Sequence, residues 1–160
     1  MQMLASHWIR HFERWTAEAA DDSGYAIGVI FLDVDNFKQI NSRFTETVVD
    51  RTVLPAFQRL VGGLCRQRGA AYRHGGEEIL VLLPNHSLEE TTSFGEKLRS
   101  LLAAHRFEVE GQIVCLTVSV GVAAWPLHGD SFGAVIEAAN RAEHAAKNGG
   151  KNRVCAAAAV

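Results

Sequence analysis

Two carboxylates, Asp33 and Asp35, follow the most apolar run of the chain, Ala26-Ile27-Gly28-Val29-Ile30-Phe31-Leu32. A hard cation such as Mg²⁺ takes oxygen ligands, commonly one or two carboxylates completed by substrate phosphates. The next residues, Asn36-Phe37-Lys38, open a predicted helix, where backbone N–H groups and the helix dipole favour phosphate. An Asp at such a junction also serves as a plain strand end or helix cap, so the segment alone leaves both roles open. A second acidic pair, Glu77-Glu78, follows Gly75-Gly76. Side-chain alternation along a strand would place these two carboxylates on opposite faces. Crowding near Asp33 would be costly without a cation to neutralise it, and a solvated acidic turn is the other reading. Lys147-Asn148-Gly149-Gly150-Lys151-Asn152 offers two ammonium groups to a polyphosphate, or serves a helix C-terminus through its dipole. Asn41 and Asp50 pair an amide with a carboxylate, a combination that can read a purine edge or be ordinary helix surface.

The elements that must position these groups are legible from periodicity. Leu4, Trp8, Phe12 and Trp15, with Ile9 alongside, mark an amphipathic N-terminal helix broken by Asp21-Asp22-Ser23-Gly24. This aromatic stripe suits either core packing or a dimerising helix. Tyr25 to Leu32 is nearly continuous and rich in β-branched residues, as a central strand buried on both faces must be. Residues 37–68 read as helix in two pieces divided at Pro55. Ala71 to His74 and Ile79 to Leu83 form strands joined by the Gly75-Gly76 hairpin, and Pro84-Asn85 ends the second. Ser87 and Glu90 make a capping box for a helix buried through Phe94, Leu98, Leu101 and Leu102. Phe107 to Glu110 and Ile113 to Val120 read as a hairpin turned at Gly111-Gln112. Asp130 or Ser131 caps a last helix with the stripe Phe132, Val135, Ile136 and Ala139; Gly149-Gly150 stops it, and Arg153 to Ala156 forms an edge strand. The order α-β-α-α-β-β-α-β-β-α-β specifies an α/β sandwich with a central, largely antiparallel sheet.

Composition sets the outer limits. A chain of 160 residues with 48% hydrophobic and 21% charged content builds one packed domain. A net charge of −2 argues against a generally basic nucleic-acid or membrane-surface protein, though not against a local phosphate site. No apolar run approaches a membrane span, and no leader pattern opens the sequence. Cys65, Cys115 and Cys155 fit no disulfide or zinc spacing and suit a reducing cytosol.

Four collinear motifs carry a resemblance. They are Asp33-Val34-Asp35-Asn36-Phe37-Lys38-Gln39-Ile40-Asn41, Tyr72-Arg73-His74-Gly75-Gly76-Glu77-Glu78-Ile79, Thr117-Val118-Ser119-Val120-Gly121-Val122-Ala123, and Ala145-Ala146-Lys147 with Gly150-Lys151-Asn152. Over about residues 25–155 the chain resembles the GGDEF domain of diguanylate cyclases, here with a GGEEI signature. The resemblance implies a palm-like nucleotidyl-cyclase sandwich at 25–160, preceded by an N-terminal helix and linker at 1–24. It implies that two GTP molecules, one on each of two facing domains, condense into cyclic di-GMP with release of pyrophosphate. Asp33 and Glu77, with the Val34 carbonyl, would then hold Mg²⁺ (or Mn²⁺), and Glu78 would stand by the metal or the reacting hydroxyl. Lys38, Lys147 and Lys151 would hold the triphosphate with the amides of Asn36, Phe37 and Lys38, while Asn41 and Asp50 would contact guanine. The implied partners are GTP, a transient homodimer and an upstream sensory or regulatory domain or protein, with no nucleic acid, and the implied location is cytoplasmic.

The chain also departs from that family's pattern. Ser42 stands where Asp is usual, and Thr45-Glu46-Thr47-Val48-Val49-Asp50 has lost both glycines of the Gly-His-x-x-Gly-Asp segment, so Val49 is expected to narrow or reshape the base pocket. The Trp-rich helix at 4–15 replaces the usual Asp-Leu-Thr-Gly-Leu segment. Asn140 and His144 replace the common Asp and Tyr, and Arg66-Gln67-Arg68-Gly69 lacks the acid of the Arg-x-x-Asp product-inhibition motif. The remodelled 42–49 segment is also what a non-catalytic nucleotide-binding or interaction module would carry. A related palm cyclase with a different base specificity would share the metal residues.

Overall fold

All eight residues of strand β1 (Ile27–Val34) are buried, because β1 is the middle of a five-stranded sheet. In the computed structural model, which describes residues 5–19 and 24–159, the strand order is β2-β3-β1-β6-β7. The other members are β2 (Ala70–Arg73), β3 (Glu78–Pro84), β6 (Val118–Trp125) and β7 (Val154–Ala156). Strand β1 is antiparallel to both β3 and β6; only β7 joins in parallel, at the edge beside β6. A separate hairpin pairs β4 (Phe107–Val109) with β5 (Gln112–Val114). The helices are α1 (Ala5–Glu18), α2 (Phe37–Phe44), α3 (Glu46–Arg51), α4 (Val53–Cys65), α5 (Leu88–Ala104) and α6 (Phe132–Asn148).

Alternation along β1 divides the interior in two. Ile30, Leu32 and Val34 face a core built with Phe57, Phe94, Leu98 and their neighbours from α4 and α5. Ile27, Val29 and Phe31 face the other, shared with Trp8, Phe12 and Trp15 of α1 and Val135, Ala138 and Ala139 of α6. The aromatic stripe of α1 is therefore core. Asp33 continues the odd-numbered face and so points to the α6 side. Helix α6 lies unusually close to the sheet there: a Cβ on Gly121 would stand 2.0 Å from the Ala139 carbonyl oxygen, so only glycine permits this approach.

Several expectations held in detail. Ser87 and Glu90 form the capping box of α5, and Ser131 caps α6 by accepting from the Ala134 amide. Others are corrected. The helical region 37–65 is three helices, broken at Thr45 and Thr52. Pro55 is the third residue of α4, where a backbone N–H would have no helical partner, so it breaks nothing. The expected strand over 113–120 is interrupted at Cys115–Thr117, where the chain leaves the small hairpin and enters the main sheet as β6, which runs on to Trp125. The turn of that hairpin falls one residue early, on Glu110 and Gly111, both at positive φ (50° and 75°). Leu101 is 41% exposed and lies off the buried stripe of α5. Leu4 and the Asp21-Asp22-Ser23 part of the helix break lie outside the described residues.

Candidate active site

Four pieces of chain meet around one cavity of about 330 Å³: the end of β1, the start of α2, the turn before β3, and the C-terminal end of α6 with the residues after it. It is lined by Asp33, Val34, Asn36, Phe37, Lys38, Glu77, Lys147 and Lys151, together with Asp35 and Gln39. The structure thus brings together every expected site residue except Glu78, Asn41 and Asp50. Glu78 pairs with Asp33 across the β1–β3 ladder, but its carboxylate folds back over Gly75.

The first turn of α2 faces the cavity with its amides free of a side-chain cap, because Asn36 sits in a left-handed conformation (φ 55°) and makes no capping bond. Its side-chain oxygen instead accepts a hydrogen bond from Lys151 Nζ. The Gln39 amide already donates to the Asn36 carbonyl at 2.9 Å; first-turn amides without a side-chain cap and an N-terminal dipole are what an anionic group seeks.

Asp35, the other acid of the first motif, has a structural role. One of its carboxylate oxygens accepts from Ser119 Oγ at 2.6 Å, and the other from Thr117 Oγ1 at 2.6 Å and the Asn152 amide at 2.9 Å. Its own amide donates to the Thr117 carbonyl at 2.8 Å. These bonds fasten the end of β1 to the start of β6 and to the Lys151-Asn152 turn, whose two residues are both left-handed (φ 64° and 44°). Arg99 Nη1 on α5 braces the same turn by donating to Asn152 Oδ1 at 2.7 Å. The position of Lys151 is therefore set from two sides.

Asp33 is nearly buried and carries the electrostatic tension of the site. Its Oδ2 is 2.9 Å from Lys147 Nζ, which in turn lies 3.1 Å from Glu143 Oε1. Burial pushes the Asp33 carboxyl up; Lys147 opposes that shift, and the charges of Glu77 and Asp35 add to it. Burial pushes the Glu143 carboxyl up as well. For Lys147, burial alone would lower the ammonium's pKa, but the two carboxylates outweigh it and hold the pKa above the usual lysine range. Glu143 does not line the cavity, but it is the charged partner of Lys147 that sequence reasoning missed. Its signal was a lone acid, one turn before Lys147, in a helix face otherwise made of Ala138, Ala139, Ala142 and Ala146.

The donor set suits a hard cation that is completed by its substrate. Among the described residues no three His, Cys, Asp or Glu side chains form a closed metal cage. The cavity is lined instead by the acids Asp33 and Glu77, with Val34, beside a basic rim. A hard cation that keeps waters and phosphate oxygens needs no more from the protein. The residues present fit Mg²⁺.

The two residues expected at a base lie outside this cavity. Asn41 on α2 has a buried side-chain oxygen with no hydrogen-bond partner. Asp50 is exposed on α3. Val49 does not project into a base pocket: it is fully buried in the core with Phe44, Val53 and Phe57, so the lost glycine became a packing residue. Ser42 is satisfied locally, its hydroxyl donating to the Lys38 carbonyl at 2.9 Å. At the former inhibition motif, a Cβ on residue 69 would stand 2.0 Å from the Leu82 carbonyl oxygen, so the backbone path there excludes any side chain, including the missing acid. A cavity of about 400 Å³ does lie beside Arg66, lined also by Arg68, Phe94 and Lys97, but no carboxylate lines it.

Comparison with known proteins agrees with this geometry. Residues 7–153 match the model of the family described as "Diguanylate cyclase, GGDEF domain". The diguanylate cyclase VdcA of Vibrio cholerae is 33% identical over 135 residues, covering 82% of this chain and 39% of that protein. The GGDEF domain of DgcB from Caulobacter crescentus, solved in complex with c-di-GMP, superposes with a TM-score of 0.82 at 28% identity, covering 93% of this chain and 87% of that one. The GGDEF domain of PA1120 from Pseudomonas aeruginosa superposes with a TM-score of 0.87 at 26% identity, covering 98% and 96%. Across the curated relatives compared, this chain spans only 18% to 42% of their length. With a palm-like sheet, the collinear motifs and a family match that takes in most of its residues, the chain belongs to the GGDEF domain family of diguanylate cyclases.

Proposed function

We propose that this chain is a Mg²⁺-dependent cyclic dinucleotide synthase that condenses two GTP into cyclic di-GMP and releases two pyrophosphates. The observation that carries the proposal is the single cavity shared by Asp33, Glu77, Lys38, Lys147, Lys151 and the N-terminus of α2. Two carboxylates and the Val34 oxygen are the share of ligands a protein gives to Mg²⁺ or Mn²⁺, and three lysines with free amides match a triphosphate. When bound, Mg²⁺ supplies Lewis-acid activation of a ribose hydroxyl and charge neutralisation at the phosphate under attack.

Within this scheme the chain's own residues bind and orient. Lys147 and Lys151 meet the outer phosphates, the α2 amides and Lys38 hold the inner ones, and Asp35 keeps the Lys151 turn in place. Each 3′-oxygen forms a bond to the α-phosphorus of the other GTP as its proton leaves and the bond to pyrophosphate breaks, so two phosphodiester bonds form per product. One cavity holds one nucleotide, so the second must come from a facing copy, and proximity in a transient homodimer supplies the rate. Glu78, whose carboxylate lies over Gly75, is assigned to the side of the metal or the reacting hydroxyl, which it reaches by swinging away from that turn. The orphaned oxygen of Asn41 has an unmet need for a donor, which the exocyclic amine of a purine can meet, with Asp50 completing the guanine contact.

The catalytic domain is assigned to 25–160, with 1–24 as an N-terminal helix and linker, and α1 packs on the sheet through Trp8, Phe12 and Trp15. Partners include an upstream sensory or regulatory domain or protein, and no nucleic acid. A cytoplasmic site of action is proposed from the substrate; among the described residues no helix is long and apolar enough to cross a membrane. Incubation with Mg²⁺ and each nucleoside triphosphate, singly and in pairs, followed by mass spectrometry tests the proposal. The expected product is cyclic di-GMP from GTP alone; a different cyclic nucleotide, or none from any mixture, overturns it.

A further inference from the structure

Glu143 is buried, with its side chain only 2% exposed, on a helix face whose other buried residues are Val135, Ala138, Ala139, Ala142 and Ala146. Packing does not call for a carboxylate there, and burying one carries a large desolvation cost unless its charge is used. Its charge faces Lys147 as an ion pair, with no aligned hydrogen bond to Oε1: Glu143 Oε1 lies 3.1 Å from the same ammonium that Asp33 Oδ2 approaches to 2.9 Å. The other cationic neighbour, His144 Nδ1, stands 3.7 Å from Glu143 Oε2, beyond hydrogen-bond range, on an exposed side chain. The approach of α6 to the sheet at Gly121 is what brings Glu143 to this depth, because the Glu143 amide lies 2.2 Å from where a Cβ on residue 121 would be.

The shared ammonium creates a conflict. Lys147 already occupies one oxygen of the Asp33 carboxylate, so a divalent cation bound to Asp33 would compete with the ammonium for that charge. Releasing a half-buried ammonium from one buried carboxylate is costly unless a second holds it. We propose that Glu143 is a positioning residue that takes over Lys147 when a divalent cation claims Asp33, an assignment that rests on the proposed cation site. Glu143 thereby strengthens cation binding without ligating the cation, and it keeps the ammonium at the cavity rim, where a phosphate can meet it. Because the effect runs through a third group, it is a coupling between sites and vanishes when that group is removed.

The test is Mn²⁺ titration of the full chain without nucleotide, read by the electron paramagnetic resonance of free Mn²⁺. Glu143→Gln is expected to weaken Mn²⁺ binding about five- to tenfold, a typical coupling. Lys147→Met, which removes the competing ammonium, is expected to tighten it, and the double variant is expected to bind as Lys147→Met does. Glu143→Leu should repeat the Gln result, and circular dichroism should show each variant folded. Wild-type affinity in Glu143→Gln and Glu143→Leu overturns the proposal. So does an equal loss in the Lys147→Met background, because Glu143 would then act on the cation directly. Asp33→Asn separates the two levels: if it binds Mn²⁺ like the wild type, the cation site itself is wrong and the role of Glu143 falls with it.

Discussion

The Trp8 indole meets the His74 imidazole with ring centroids 5.2 Å apart and planes tilted by 55°. His74 in turn stands edge-on to Phe31 of β1 at 5.0 Å, and it is the residue immediately before Gly75-Gly76. A continuous aromatic contact thus runs from the N-terminal helix, through the residue that opens the signature turn, to the central strand. His11 Nδ1 and the Tyr72 hydroxyl form a second, hydrogen-bonded link between α1 and the strand leading into that turn.

Trp8 is 8% exposed, so its truncation removes a large buried ring rather than a surface one. Trp8→Ala is predicted to cost about 3–5 kcal/mol, the usual range for deleting a core aromatic. Denaturant unfolding measures it as a fall in midpoint at unchanged slope. A loss below about 0.5 kcal/mol, the level of a neutral surface change, would mean that α1 does not pack on the sheet in solution.

Thr45 joins α2 to α3 at φ 68°, ψ 149°, a backbone conformation that a β-branched residue rarely adopts. The family pattern has glycine here, so the sequence changed while the backbone path still asks for a residue without Cβ. Thr45→Gly relieves strain of about 1–3 kcal/mol against a glycine entropy cost of about 0.5–1 kcal/mol. A net gain of about 1 kcal/mol is predicted, seen as a rise of about 2–4 °C in Tm. An unchanged or lower Tm would contradict it.

The chain has two tyrosines, and burial raises both phenols above the ordinary value of 10.0, Tyr72 to about 12. A phenol protonated more tightly when folded contributes stability that is complete below pH 10 and is lost as pH rises from 10 toward 12. Absorbance at 295 nm is therefore predicted to show little phenolate at pH 10 in the folded protein, with the Tyr72 step near pH 12 or at alkaline unfolding. Tyr72→Phe should delete that late step. Full ionisation of both phenols near pH 10 with the fold intact would contradict the burial of Tyr72.

Much of this arrangement was readable from residue order, for reasons that differ by element. The continuous apolar run of β1 could only be a strand covered on both faces, and Asp33 at its end was therefore placed at the sheet's rim. Ser87-x-x-Glu90 named a helix start because two side chains satisfy two backbone donors there. What escaped was decided by tertiary contacts. Pro55 looked like a break because its place within the first turn of α4 depends on where Thr52 ends the helix before it. Residues 115–117 looked like strand because the pull of Asp35 on Thr117 and Ser119 joins positions more than eighty residues apart. Val49 looked like a pocket residue because sequence does not show which way a short helix turns its side chains. Glu143 went unremarked because a single acid on a helix is ordinarily solvated, and only the close approach at Gly121 buries it.

In the proposed reaction Asp33 and Glu77 act together on one bound nucleotide, and neither alone suffices. The measurement is the initial rate of cyclic di-GMP formation from GTP and Mg²⁺, by mass spectrometry, for the wild type, Asp33→Asn and Glu77→Gln, each shown folded by circular dichroism. The predicted result is steady product from the wild type and none above background from either variant, because each loses a hard oxygen ligand that the remaining residues do not replace. A rate above a tenth of the wild type in either variant, or no product from the folded wild type at any protein concentration, would contradict it.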